Sequence, residues 1–467
     1  MVGLVFEIFK KALAALVVVS VLGKLFDQLL TFGEDELQTA VVLACYVYFV
    51  ISLFAASRHK LFHVLAVPFL TQFLHLFQKY SFPAGANSLW RLAPFLILDS
   101  YFLYVFIQKP VCLSKGEKLF LTFWIITQLF FLLISPNLEN IVFGGLLFFS
   151  LTLPCYFIYL NLVNTAKHFR ENLEMYLCTL YIILGLGTFG LVIVGAGYKG
   201  SDNLLATRNI TDTNVTMAYF ILLWPFVLLF AERHALNSLI RLVLYSILSG
   251  VVIFSFSRGA VLLVMPYMLI TTFLIGNVMR FWWVVALLTL VINVFPDLIF
   301  DYKDWDMAYF WTLRFGGVMA TDSVLDKLQQ ASGRAEIHEI AYNLFLSKPL
   351  VGHGTGSFEM LGPGYREAHS LFYTLLAENG LLGLICMYSL LFFLLISTLS
   401  VCRSNQKYAL LPLSLIFYLA FNHTVGSVFV ILPARSVTIN CLAPMLLLCL
   451  FFYAKSIQTH AAAPKYE

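Results

Sequence analysis

Charge is what this sequence has least of: Asp, Glu, Lys and Arg together make up 12% of its 467 residues, against 60% apolar residues. Soluble domains carry about 25% charged residues, so a soluble class is excluded, and the mean hydropathy of +0.86 agrees. Alternation of polar and apolar residues is also lacking, which excludes a transmembrane β-barrel, whose strands would be ~10-residue alternating runs. Cysteine is sparse. The eight that exist, at 45, 112, 155, 178, 386, 402, 441 and 449, lie in apolar runs or charged joints and form no CxxC pair. Neither a disulfide framework nor a thiolate metal site is offered. No cleavable signal pattern precedes the first apolar run, which is expected to act as its own insertion signal. The net charge of +4 is spread along the chain rather than gathered into a patch, so no nucleic-acid partner is expected.

What the chain does have is a series of apolar blocks of about 18–22 residues, the helical length that crosses a bilayer core of about 30 Å. The fold class expected is an all-α polytopic membrane protein with about fourteen spans. They are placed near 5–30, 38–56, 61–78, 89–107, 119–133, 141–163, 173–194, 214–230, 238–256, 259–276, 281–300, 381–400, 408–421 and 438–453. These form a single transmembrane domain over 1–456, followed by a short tail, 457–467, whose residues from about Gln458 read as disordered.

Orientation follows from the joints, because Lys and Arg near span ends are retained in the cytoplasm. Alternate joints separate into a basic set, with Arg58, Lys60, Lys109, Lys115, Lys118, Lys167, Arg170, Arg233, Arg241, Arg280, Arg403, Lys407 and Lys455, and a set poor in Lys and Arg, such as 135–140. Both termini are then cytoplasmic. The long segment 301–368, before the last three spans, lies on the opposite face.

Three polar clusters fall on that outer face. The first is Arg208 to Asn214, with Asp212 between them, ahead of a span; the second is Ser255-Phe-Ser-Arg258-Gly-Ala260 at a short joint. The third, in the long segment, holds Ser332-Gly-Arg334, a glycine-punctuated stretch Gly352-His-Gly354-Thr-Gly356, and His369. Arginine suits a diphosphate because its planar fork donates paired hydrogen bonds and stays charged. Histidine suits a general base because its pKa lies near working pH. Each has a plainer reading alongside. Arg258 alone is compatible with a snorkelling anchor, Arg334 with a salt bridge to Glu336 or Glu339, and His369 with a satisfied polar residue at a span mouth. His338 and His353 show no ligand spacing and are assigned no role. The aromatic run 302–315 fits an interfacial belt better than a sugar-stacking platform. Asn209-Ile-Thr211 and Asn422-His-Thr424 fit the glycosylation sequon, and Arg91 and Asp99 are read as buried structural polar residues.

In order along the chain, Asn214 opening a span that contains Pro225, Ser257-Arg258-Gly259-Ala260, Ser332-Gly333-Arg334, Pro349-x-x-Gly-x-Gly-x-Gly-x-Phe358 and His369 leading into Ala377-Glu-Asn-Gly-Leu-Leu-Gly383 resemble the O-antigen ligase and polymerase superfamily. The resemblance covers roughly 208–384; many members carry Asn directly after the His, where this chain has Ser370. It implies a metal- and nucleotide-independent glycosyltransferase of the bacterial inner membrane. Such an enzyme moves an oligosaccharide from undecaprenyl diphosphate to an acceptor hydroxyl at the periplasmic face. It also implies that His369 is the catalytic base and that Arg258 and Arg334 bind the diphosphate, with Arg208, Asn214 and Arg435 as secondary substrate-binding candidates. The span count leans toward a polymerase, whose acceptor is another lipid-linked glycan and whose partner is a chain-length regulator. The alternatives are a ligase acting on lipid A core and a lipid-linked oligosaccharide flippase.

Overall fold

A computed structural model describes residues 60–76, 93–111, 113–138, 145–146, 148–193, 213–254, 258–275, 334–362, 367–424 and 442–462. The described residues form helices and no strand. In chain order these are α1 (Lys60–Leu76), α2 (Ala93–Gln108), α3 (Lys115–Leu133), a π-helical turn (Phe148–Thr152) leading into α4 (Leu153–Asn164), and α5 (Phe169–Ile193). Then come α6 (Thr213–Arg233), α7 (Ser238–Phe254), α8 (Arg258–Leu274), α9 (Arg334–Ser347), α10 (Phe358–Leu361), α11 (Leu371–Cys402), α12 (Leu410–Thr424) and α13 (Leu442–Ala462). Three described helices are long and apolar enough to cross a membrane: α3, α11 and the stretch Leu442–Thr459 of α13. The expected spans near 5–30, 38–56 and 281–300 lie outside the described residues.

The centre of the bundle is α6. Met217 to Val227 are buried on every side, the pattern of a helix wrapped by other helices rather than by solvent or lipid. It packs against α5, α12 and α13. Three interior polar groups are paired across helices, which offsets the cost of burying them: Trp224 Nε1 donates to Thr271 Oγ1 of α8 at 3.0 Å, Tyr267 Oη to the Ile221 carbonyl at 3.1 Å, and Tyr181 Oη to the Leu244 carbonyl at 2.6 Å.

The described joints gather at two ends of the bundle, and the end away from the basic joints, expected to face outward, is called the outer end below. At one end gather residues from the basic set. Arg233 grips the fully buried Glu174 with two bonds of 2.7 Å, and Tyr453 donates to the same carboxylate. Arg241 and Lys407 meet at Glu232, and Lys455 reaches Glu117 of α3. At the other end, the Ser135–Asn137 joint touches the segment after α9: Thr355 N donates to the Phe131 carbonyl at 2.9 Å, and Asn137 Nδ2 lies 3.5 Å from the Gly356 carbonyl.

Several boundaries differ from the hydropathy blocks. Helix α11 begins at Leu371, ten residues before the expected span, and is broken at Gly380 (φ 61°, ψ −164°). The 22 residues after the break are roughly 33 Å long at 1.5 Å per residue, which matches a bilayer core of about 30 Å. The ten before it stand at the outer end. Helix α13 continues to Ala462, so Gln458 to Ala462 are helical rather than disordered. Ile457 is buried there, and Gln458 Nε2 donates to Ser400 Oγ of α11, which holds that end. Asn422 is fully buried inside α12, out of reach of any glycan.

Candidate functional site

The outer end is organised by an exchange of backbone hydrogen bonds at the break in α11. In an unbroken helix Leu381 N would bond the Ala377 carbonyl and Leu382 N the Glu378 carbonyl. Here those amides donate instead to Pro349 and Leu350, at 2.9 and 3.0 Å. The freed carbonyls of Ala377 and Glu378 accept from His353 N and Gly354 N, at 3.3 and 2.6 Å. The 349–354 segment is thus inserted into the helix, leaving none of these four helical groups orphaned.

Glycine is what lets two backbones approach so closely. Gly352, Gly354 and Gly380 all have positive φ, a region that costs an L-residue energy. A Cβ on Gly352 would lie 2.5 Å from the Glu378 carbonyl, and one on Gly380 would lie 2.7 Å from Gly352 N. The glycine-punctuated stretch is therefore a docking turn. The Glu378 side chain, fully buried, fastens it further by accepting from Phe358 N at 3.3 Å. Asn379 Nδ2 donates to Thr355 Oγ1 at 3.1 Å.

This junction carries α9 against the start of α11. Ile337 and Ala341 pack on Phe358, Ala368 and Ala377 in a small apolar cluster apart from the main core. Arg334 is the first residue of α9, and its guanidinium donates to the Thr424 carbonyl at the end of α12. His369 is one-third exposed, with Nδ1 3.9 Å from the buried Glu367. Its backbone is left-handed, with φ 51°, which is uncommon outside glycine and a mark of a constrained site. Arg258 is likewise the first residue of its helix, α8. A helix start favours anions over cations, so neither arginine's place at its helix start is explained by the helix itself.

His338, which the spacing of residues left without a role, belongs to this cluster. It stacks on Tyr373 of α11 with ring centroids 4.2 Å apart and planes inclined by 14°. Burial, followed by the nearby Arg334 charge, holds its pKa below the ordinary histidine value, and it feels His369 as well. The one available signal was helical periodicity: His338 lies four residues after Arg334, on the same face. Asn214 falls in the first turn of α6. Arg208, Arg435 and the aromatic run 302–315 lie outside the described residues. Asp99 is buried in α2 and accepts from Thr152 Oγ1 at 3.1 Å, while Arg91 is not described. Among the described residues, no three His, Cys, Asp or Glu side chains are grouped to hold one metal ion.

Beneath the docked turn lies a narrow crevice of about 20 Å³, bordered by Gln128, Thr355 and Asn379 at its polar side. It shares Met387 and Leu390 with a small apolar cavity of about 80 Å³ between α3, α4, α11 and α13, lined by residues such as Trp124, Phe149, Phe393 and Phe451.

Residues 243–388 match the family model described as O-antigen ligase, a stretch that contains Arg258, Arg334, His338, His369 and the whole α11 junction. The similarity is to the O-antigen ligase family and covers about a third of the chain. No curated protein matches it. That family supports a glycosyltransferase acting on lipid-linked glycans, and the matched stretch includes the junction at the break in α11 and leaves out α6.

Proposed function

We propose that this protein transfers an oligosaccharide from undecaprenyl diphosphate to an acceptor hydroxyl at the periplasmic face of a bacterial inner membrane, with a second lipid-linked glycan as acceptor. The observation that carries the reading is the convergence, within the O-antigen ligase domain, of α9 with Arg334 at its start, the strained His369 and the docked turn. His369 takes the proton of the acceptor hydroxyl. The hydroxyl oxygen bonds the anomeric carbon from the face opposite the leaving group, and the C–O bond to the diphosphate breaks with its electron pair on the phosphate oxygen. Arg258 and Arg334 meet that developing charge, and guanidinium groups already in place favour the transition state over the ground state. Neither metal nor nucleotide enters this scheme. Arg208, Asn214 and Arg435 are proposed as further substrate contacts, and a chain-length regulator as a partner.

A ligase reading, with lipid A core as acceptor, is favoured by the description of the matching family model. The test is reconstitution of purified protein with donor and either acceptor, both faces accessible so that transport is irrelevant. Wild type is expected to make longer glycans, His369→Ala to lose roughly 10²–10⁴ in rate, the usual worth of a positioned base, and Arg258→Lys and Arg334→Lys to lose most activity because Lys lacks the paired fork. Product on lipid A core alone would select the ligase reading. No product from wild type on either acceptor, or full activity of His369→Ala, would end the assignment.

A further inference from the structure

At the break in α11 the docked segment and the membrane-crossing helix are joined by backbone bonds, so their exposed side chains belong to one surface. The Pro349 carbonyl accepts from Leu381 N and the Leu350 carbonyl from Leu382 N. Leu381 and Leu382 open the part of α11 whose length matches a bilayer core, and both side chains are exposed. On a spanning helix such leucines face acyl chains. Leu350, bonded beside them, is 69% exposed, and Leu346 in the last turn of α9 is 55% exposed. Tyr342, four residues before Leu346 and on the same face of α9, is exposed as well. This is not the face by which α9 packs on the protein, which carries Ile337 and Ala341.

Charge is graded along the same helix. Glu336 and Glu339, both exposed, lie in its first half, no charged residue occurs from Ile340 to Ser347, and the exposed Lys348 follows at the end. Carboxylates thus stand away from the apolar end, and the one cation stands at its border. A lysine there can lay its stem along apolar surface and keep its ammonium among phosphates.

We propose that the C-terminal end of α9 and the turn after it are seated in the phospholipid leaflet at the outer end, with Leu346 and Leu350 in the upper acyl layer, Tyr342 at headgroup level and Lys348 on lipid phosphates. The occupant is bilayer lipid rather than a second copy of the chain for two reasons. The surface continues from Leu350 into Leu381 and Leu382, which a spanning helix already presents to lipid, and a cation borders it at the level of the phosphates. Partial insertion with an aromatic at the interface is how amphipathic helices bind membranes. Helix α9 has 14 residues and is roughly 21 Å long. Its far end carries Arg334, so the leaflet braces the helix that holds this guanidinium. The inference goes beyond the transferase reading and does not depend on it.

Photo-crosslinking in the cell's own membrane tests the seating. Leu346, Leu350, Glu336 and Ile385 are replaced one at a time by p-benzoylphenylalanine, the last as a positive control because Ile385 is exposed on the spanning part of α11. After irradiation, phospholipid adducts on the purified protein are read by mass spectrometry and crosslinked dimers by electrophoresis. Phospholipid adducts are expected at 346, 350 and 385 and should be lost at 336. In vesicles of phosphatidylethanolamine and phosphatidylglycerol, a Leu346→Asp/Leu350→Asp variant is expected to be cut by protease within 348–362 several-fold faster than wild type, because carboxylates lift the segment out of the acyl layer. Absence of lipid at 346 and 350 while 385 is labelled, adducts at 336 equal to those at 350, or wild-type cleavage of the aspartate variant would overturn the seating. A crosslinked dimer through 346 or 350 would overturn it too, by giving the face to a second copy.

Discussion

Substituting Gly380 by alanine tests whether the outer end is built on the helix break. Gly380 sits at φ 61° and ψ −164°, a combination essentially confined to glycine, and forcing an L-residue there costs about 1–3 kcal/mol. The added Cβ would also stand 2.7 Å from Gly352 N and from the Leu350 carbonyl carbon and oxygen, all backbone atoms that cannot rotate away. The alternative for the mutant is to eject the inserted segment. That forfeits the four backbone bonds at Leu381, Leu382, His353 and Gly354, two of which the re-formed helix would replace, each worth about 0.5–1.5 kcal/mol net. Either route places the cost at about 1–3 kcal/mol, localised at the outer end, while the bundle around α6 should remain folded. Gly116→Ala is the control, since a Cβ there meets nothing within 4 Å. Purified variants in detergent would be compared by limited proteolysis of the 348–362 segment and by tryptophan-monitored melting. Rapid cleavage of Gly380→Ala with a preserved main transition is the expected result. A Gly380→Ala protein as resistant as Gly116→Ala would show that the segment is not inserted into α11.

Three further outcomes are expected. Arg233→Ala leaves the fully buried Glu174 without its cation and should cost about 3–5 kcal/mol, read as a large drop in melting temperature, with Glu174→Gln milder; an unchanged melt would mean that the pair is not buried as described. Stability of the outer end should decline with acid. The His338 pKa is depressed in the folded state, so below the unfolded value of about 6.5 the unfolded chain binds more protons and folding loses free energy; His338→Phe should flatten protease resistance measured between pH 8 and pH 5, and an identical slope in both proteins would refute the sign. Finally, Glu339→Cys on the exposed side of α9 should react with an impermeant thiol reagent from the outer face of intact inner membrane, and labelling only after permeabilisation would reverse the topology.

How much of this was readable beforehand depends on which physical signal each feature sends. Hydropathy registers residues that face lipid or core, so α3, α5, α7 and the later part of α11 fall within a few residues of their apolar blocks. It also placed the start of the expected span at Leu381, one residue past the break, because the ten residues before it carry Glu378 and Asn379 and dilute the apolar run. The last turns of the C-terminal helix were missed for a related reason. Its last turns are polar and are held by Ile457 burial and the Gln458 bond to Ser400, neither of which is visible in a single run of residues. Charge placement was readable because it acts locally: the basic joints cluster at one end through Glu174, Glu232 and Glu117.

The site itself was legible as residue types and not as an assembly. Arg334, His369 and the Gly352-to-Gly356 stretch stand out singly, but what joins them is backbone, and main-chain hydrogen bonds leave no side-chain signature. Two glycines 28 positions apart, Gly352 and Gly380, make sense only together, since each is needed so that the other's backbone can come close. The same holds for His338. Its spacing from any other histidine argues against a metal, and it joins the cluster only when α9 is laid against Tyr373 of α11. The two arginines show the complementary case. Each is the first residue of its helix, a position where a cation is disfavoured by the helix's own partial charge. The proposed diphosphate site would reconcile both placements, because the same N–H groups that disfavour a guanidinium favour an anionic ligand.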